Sequence, residues 1–314
     1  MGSAALWDRL KAIGFKPDLI YSISNGIGIS GTDLKPKIRL DIQSIFYGKL
    51  RSIYGYHNAA HRDAGHQKVE MLLMTLVNSS GIERSDLIIY FDGEECLEKQ
   101  NTHRIRHHEQ QQELVEADNK VNDIIERFNN NNAISKSMFT VAHRHLSNSF
   151  RLPLEIRQEC SRYLRDQGWD ARVAPFEADV QIAKDVLPQD LVIANDGDFF
   201  GYRTVNTIVK PISNDRFLLY DVNKVAEAME ISRAGLTAFM VVNKNDYDDN
   251  IRQIGPTISL RLIQKIESSR ESQMEDIAIP ASQGVREEGS IQVDQADQMD
   301  QGDVHEIEDG KLLF

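Results

Sequence analysis

Cysteine is nearly absent. The two thiols in 314 residues, Cys96 and Cys160, lie far apart and form no C-x-x-C pair. That excludes a disulfide framework and a cysteine-built zinc site, and it suits a reducing, intracellular setting. Long apolar runs are absent too: none approaches the ~20 residues that a membrane-spanning helix needs. Met1-Gly2-Ser3 lacks the basic and apolar regions of a secretory leader, and Leu6 stands where myristoylation at Gly2 would want Ser or Thr. A surplus of positive charge is also missing, with 36 basic against 48 acidic residues and a net charge of −12. The deficit is local. Residues 267–314 hold 13 acids and 3 bases, a charge of −10, and the remainder is −2. If seven acids of the body serve a metal, the rest of the body is +5, so a phosphate-bearing substrate stays open.

What the chain does have is carboxylate pairs. In the stretch 176–202, Glu177 and Asp179 are one residue apart, and so are Asp196 and Asp198. Between them lie an amphipathic helical segment, Pro188, and the aliphatic run Leu191-Val192-Ile193-Ala194, which reads as a buried strand. Asp196 and Asp198 then stand where the chain leaves a sheet, the end at which parallel α/β sheets bind ligands. Four carboxylates in one cleft do not all stay ionised without a cation, and hard divalent ions take oxygen ligands. The functional reading is a magnesium site; the ordinary one is a solvated helix start and a strand-end turn.

The rest of the chain repeats the pattern. A helix is expected over 4–13, a strand over 38–40 ending at Asp41, and a helix over 43–56. The string Gly26-x-Gly28-x-x-Gly31 imitates a dinucleotide loop, but Pro36 follows instead of a helix, so it reads as a flexible loop. His57, His61 and His66 read as solvated loop residues before an apolar helix over 69–77. A strand over 86–91 ends at Asp92-Gly93, a third aspartate at a strand exit. Acids repeatedly at strand exits argue for a parallel sheet. Residues 100–132 are polar and helical, hence solvent-facing. His103 and His107 are four apart, and the metal reading of that pair yields to an ordinary polar face. A helix over 151–169, a hairpin over 207–212 and 217–220, and a helix over 222–230 follow. Gly255-Pro256 precedes a helix over 257–266, whose amide end suits a phosphate. From 268 onward the composition is that of a disordered acidic tail.

These motifs, from Met1 to about Lys265, resemble the flap endonuclease/XPG superfamily of structure-specific 5′ nucleases. The start MGSAALWDRL resembles the family's, in which Gly2 lies close to the active site. Asp41 in IRLDIQSIFYGKLR and Asp92 in IIYFDG match the first two family aspartates. Lys99 and Arg106, seven and fourteen residues after Asp92, match a basic pair that engages the scissile phosphate. Glu177, Asp179, Asp196 and Asp198 match the internal acid pairs. Asp246 in KNDYDDNIRQIGP matches the last aspartate, ahead of the helix–two-turn–helix DNA clamp. In that clamp Gln253 and Thr257 replace a glycine and a basic residue.

The resemblance implies a PIN-like α/β fold, with a mostly parallel sheet flanked by helices. It places a nuclease domain over 1–240, with an N-region to about 110, an arch over about 100–150 and an I-region over 151–240. The clamp element then spans 241–267 and the acidic disordered tail 268–314. It implies two Mg2+ ions, with Mn2+ as a substitute, held by Asp41, Asp92, Glu177, Asp179, Asp196, Asp198 and Asp246. Asp92 and Glu177 join Lys99 and Arg106 as catalytic residues. Gly2, Gly255, Pro256 and Thr257 contact DNA, and K+ binds at the clamp. The implied activity is magnesium-dependent cleavage of branched or 5′-ended DNA by a monomeric nuclear enzyme, with no sliding-clamp peptide. Two alternatives stay open: a non-catalytic scaffold that keeps the fold, and a PIN-type ribonuclease.

Overall fold

The structure is a computed structural model, and it describes residues 4–23, 35–55, 62–213, 215–243 and 254–277. Gly2, His57, His61, the 26–31 glycine string, Asp246 and the sequence beyond 277 lie outside the described residues. The chain divides into two units, 1–272 and 273–314, and of the second only the helical residues 273–277 are described.

Seven strands make one sheet in the order β1-β7-β6-β5-β2-β3-β4. The strands are β1 (Asp18–Ile20), β2 (Ile38–Asp41), β3 (Leu87–Phe91), β4 (Asp170–Val173), β5 (Leu191–Ile193), β6 (Thr207–Ser213) and β7 (Arg216–Asp221). From β6 to β4 every neighbour is parallel, while β7 and β1 close one edge antiparallel. The β6–β7 pair is the expected hairpin. Successive residues of β3 explain the layering. Ile88 and Tyr90 enter one core with Leu6, Ile182, Val192 and Phe239. Leu87, Ile89 and Phe91 enter the other with Leu50, Leu73, Leu164 and Ile193. A strand buried on both faces reads as a continuous apolar run, as LIIYF does.

Ten α-helices occur among the described residues: α1 (Ala4–Ala12), α2 (Ile42–Tyr54), α3 (Arg62–Ser80), α4 (Gln100–Asn129), α5 (Lys136–Asn148), α6 (Leu154–Asp166), α7 (Ala178–Asp185), α8 (Val222–Ala228), α9 (Arg233–Val242) and α10 (Pro256–Ile277). Helices α1, α7, α8, α9 and α10 cover one face of the sheet; α2, α3 and α6 cover the other. The layered α/β architecture is PIN-like, as the resemblance implies.

Helices α4 and α5 form a hairpin of their own. In α4 only Ala117 is buried, and in α5 only Ala142 and Ser147. Small residues let two such helices pack closely without an apolar stripe, and His145 Nδ1 bonds Glu113 Oε2 across them at 2.6 Å. Asn131 turns the connection with φ 54°, a left-handed conformation that asparagine tolerates.

His66 corrects the loop reading. It lies inside α3, is buried, and bonds the Tyr54 hydroxyl at 2.8 Å. The polar spacing of 57–66 suggested a loop, but Gly65 lets α3 approach Tyr54 closely: a Cβ there would sit 2.6 Å from its ring. Helix α10 also runs past the expected boundary at 267.

Candidate metal and phosphate site

The strand order reverses at β2, which has β5 on one side and β3 on the other. Such a switch point leaves a crevice beyond the carboxyl ends of the strands. Every described acid of the expected set lies at that end. Asp41 closes β2, Asp92 follows β3, Glu177 and Asp179 follow β4, and Asp196 and Asp198 follow β5.

Local chemistry fixes each one. Asp41 caps α2, its Oδ1 accepting from Ser44 N at 2.9 Å. Ser44 Oγ in turn accepts from Asn195 N at 2.7 Å and Asp196 N at 3.1 Å, tying the β5 exit to the β2 exit. Asp92 Oδ2 accepts from Gln43 Nε2 at 2.7 Å, and its Oδ1 accepts from Ala178 N at 2.9 Å, at the start of α7. Asp179 accepts from the Tyr202 hydroxyl at 3.0 Å. Asp196 accepts from Asp198 N at 3.0 Å. Arg157 Nη1 donates to the carbonyls of Asp92 and Gly93, both at 2.9 Å, and holds the β3 exit from behind. Gly93 is needed there. A Cβ would lie 1.8 Å from the Ala174 carbonyl oxygen, so only glycine lets the β3 exit touch the strand leading to Glu177.

The electrostatics show how crowded the cluster is. Burial, then the charge of Asp92 and those of Asp179 and Asp196, push the Asp41 carboxyl well above the usual range. Burial and Asp179 push Asp92 up. Burial raises Asp179, with Glu177 adding to it and Lys99 opposing. Asp198 is pushed up to about 7 by burial, Asp196 and Asp179. Mutual repulsion of this kind requires proximity, so these acids neighbour one another at the carboxyl end of the sheet. Lys99 is buried and paired with Glu177 Oε2. Arg106, further along α4, lines a cleft with Glu109, Glu113, Glu116 and Asn148.

The donor set is all carboxylate, which suits a hard divalent cation such as magnesium. The aspartates do not draw their oxygens into one ion-sized group. Among the described residues the single tight group of three donors is Cys96, His103 and Glu177.

Gly255, Pro256 and Thr257 are exposed at the start of α10, and the Gly255 carbonyl accepts from Ile258 N and Ser259 N. Residues 244–253 lie outside the described residues, and the potassium expectation falls there. Sequence reasoning gave no role to Gln43, Ser44, Arg157 or Tyr202. Asp41, a favoured N-cap residue, carried the helix-cap signal, and its bond partner is the amide three residues on, that of Ser44. Arg157, on the apolar face with Ile156, Cys160 and Leu164, was an outlier in the helical pattern.

No protein-family model matches the chain, and no curated protein sequence does. Solved structures do. The catalytic core of Rad2 in complex with DNA substrate superposes with a TM-score of 0.51 at 15% identity, over 89% of this chain and 76% of that one. A second Rad2–DNA complex gives 0.50 at 14% identity, over 90% and 74%. Flap endonuclease-1 from Methanococcus jannaschii gives 0.46 at 19% identity, over 83% and 77%. At such identities the likeness speaks to the fold. Rad2 and flap endonuclease-1 are members of the flap endonuclease/XPG family that the sequence resembles.

Proposed function

We propose that this chain is a divalent-metal-dependent, structure-specific 5′ nuclease of the flap endonuclease/XPG family that hydrolyses DNA phosphodiesters. The observation that carries the reading is Asp41. A carboxyl buried at a strand exit, and pushed up by three neighbouring aspartates, is stable as an anion only with cations beside it. The catalytic core of Rad2, which shares the fold, is known in complex with DNA substrate.

Two divalent ions, when bound, supply the Lewis acidity that activates water and neutralises charge on the phosphodiester. The chain's own residues do the holding. Asp41, Asp92, Glu177, Asp179, Asp196 and Asp198, with Asp246, provide oxygen donors for magnesium or manganese. Ser44, Gln43, Tyr202 and Arg157 fix these donors in place. Lys99, beside Glu177, and Arg106, further along α4, would stabilise charge developing on the phosphate. The α4–α5 hairpin stands beside Glu177 through Lys99 and is positioned to select a free 5′ end. The exposed Gly255-Pro256-Thr257 segment offers helix amides to duplex phosphates, with potassium at the same clamp element. The enzyme works as a monomer and, acting on DNA, in the nucleus.

Cleavage of 5′-flap DNA, single-stranded DNA, a four-way junction and RNA, with magnesium and then with chelator, tests this reading. Magnesium-dependent cutting of branched DNA supports it. Cutting confined to RNA makes the chain a PIN-type ribonuclease. Binding of DNA with no cutting makes it a scaffold.

A further inference from the structure

We propose that Cys96, His103 and Glu177 form a second metal site, for a thiophilic divalent cation of the zinc type, at the foot of α4. The Cys96 sulfur, one His103 ring nitrogen and one Glu177 carboxylate oxygen lie within 4.8 Å of one another. Donors of one tetrahedral zinc ion, at bond lengths of about 2.0–2.3 Å, sit about 3.3–3.8 Å apart, so the three need draw together only by side-chain rotation to share one ion. They converge from separate elements. Cys96 precedes the 3-10 turn Leu97–Lys99, His103 sits in the first turn of α4, and Glu177 caps α7.

Two features single out this corner. His103 Nε2 is buried and has no hydrogen-bond partner among the described residues; Glu177 Oε1 lies 3.8 Å away, beyond hydrogen-bond reach. A buried nitrogen left unpaired is costly, and a metal ion satisfies it. Glu177 is also divided. Its Oε2 is held by Lys99, and its Oε1 faces the histidine. An ion on Oε1 therefore leaves the lysine pair intact, and the surrounding aspartates offset the lysine's charge.

The ligand chemistry differs from that of the aspartate cluster. Thiolate and imidazole favour zinc over magnesium, whereas carboxylates alone favour magnesium. Three protein ligands leave one tetrahedral position open. Binding converts the Cys96 thiol to a thiolate; the sulfur–metal bond forms as the proton leaves to solvent. An ion here clips the foot of the helical hairpin to the loop carrying Glu177. None of this depends on the nuclease reading.

Cobalt(II), a visible stand-in for zinc, tests the site on the full chain under reducing conditions with magnesium in excess. The expected result is a thiolate-to-cobalt charge-transfer band that saturates at one equivalent. Zinc bleaches it and magnesium does not. Cys96→Ser removes the band, and Cys160→Ser keeps it. His103→Gln lowers cobalt affinity at least about tenfold, the loss that even an outer partner of a ligand produces. No band in the wild type overturns the proposal. So does a band that survives Cys96→Ser, one that magnesium displaces, or an affinity that His103→Gln leaves unchanged.

Discussion

Two buried charged clusters sit on the same sheet, and only one of them is balanced. Ahead of β5, Asp190 receives Arg39 Nε at 3.1 Å and Nη2 at 2.8 Å, with the backbone amides of Lys37 at 2.9 Å and Leu187 at 3.0 Å. Arg39 Nη1 also bonds the Tyr90 hydroxyl at 2.6 Å, and that hydroxyl donates to Asp185 at 2.8 Å. Every charge there has a partner. At the other end of β2, six acids face two buried cations, Lys99 and Arg157, and four of the carboxyls are raised. Burial is common to both clusters; compensation is not. A saturated cluster is complete and holds the fold. An unsaturated one costs stability until something positive arrives, which marks it as a place for a ligand.

Four substitutions, a pH titration and a truncation sharpen the contrast. Asp196→Ala is expected to lower magnesium-dependent cleavage by on the order of a thousandfold or more. DNA affinity should change little, and cutting near the wild-type rate would refute the assignment. Asp190→Ala should do the reverse. It leaves Arg39 buried and unpaired, at a cost of about 3–5 kcal/mol. Urea unfolding measures that loss, and a midpoint equal to wild type would mean the pair is not what holds β5 to β2.

The pH response separates the clusters next. The folded pKa of Asp198 is about 7, above its unfolded value of 3.8. The folded state therefore binds more protons over that range. The associated stability is present at low pH and is lost as pH rises through 7. Melting without divalent ions should fall between about pH 5 and about pH 8, and magnesium should cancel the fall. Asp198→Asn should flatten the metal-free curve. A fall that the variant retains in full would assign the effect elsewhere.

The two clusters were not equally legible in the sequence. Asp41, Asp92 and the Asp196–Asp198 pair stood out because each follows an aliphatic strand run, and Glu177 and Asp179 stood out as a second close pair opening a helix. Their chain order carried the family resemblance. Arg39 and Asp190 were invisible. An arginine inside β2 and an aspartate after Pro188-Gln189 give no pattern until parallel pairing of Ile38 with Leu191 brings them together. Long-range supports such as Gln43 and Arg157 were hidden for the same reason. His66 was misread because its burial depends on Gly65 and Tyr54, a tertiary contact that overrides local polarity.

Gly93→Ala probes the junction that brings the acids together. The new methyl meets two backbone carbonyls, Ala174 O at 1.8 Å and Pro175 O at 2.5 Å, and backbone cannot yield as a side chain can. The expected cost is about 1–3 kcal/mol, typical of overpacking. The strand exit should also part from the loop carrying Glu177. Magnesium-dependent cleavage should therefore fall more than the stability loss explains. Loss of stability alone, with activity intact on the folded fraction, would show that Gly93 serves the fold only.

The smallest effect concerns the charge beyond α10. Residues 278–314 carry 9 acids and 2 bases, a net −7. The cut belongs at 278 and not at 267, because Glu267 accepts from Ser232 N at 2.9 Å and also from its hydroxyl, linking α10 to the start of α9. Removing 278–314 takes away charge that repels phosphate. DNA affinity should rise a few-fold at low salt. The gap should close as salt is raised, because the Debye length shrinks to about 10 Å at 0.1 M. Equal affinities for the full and shortened chains across the salt series would mean that the acidic residues do not act on DNA electrostatically. The body's own cationic surface would then set binding alone.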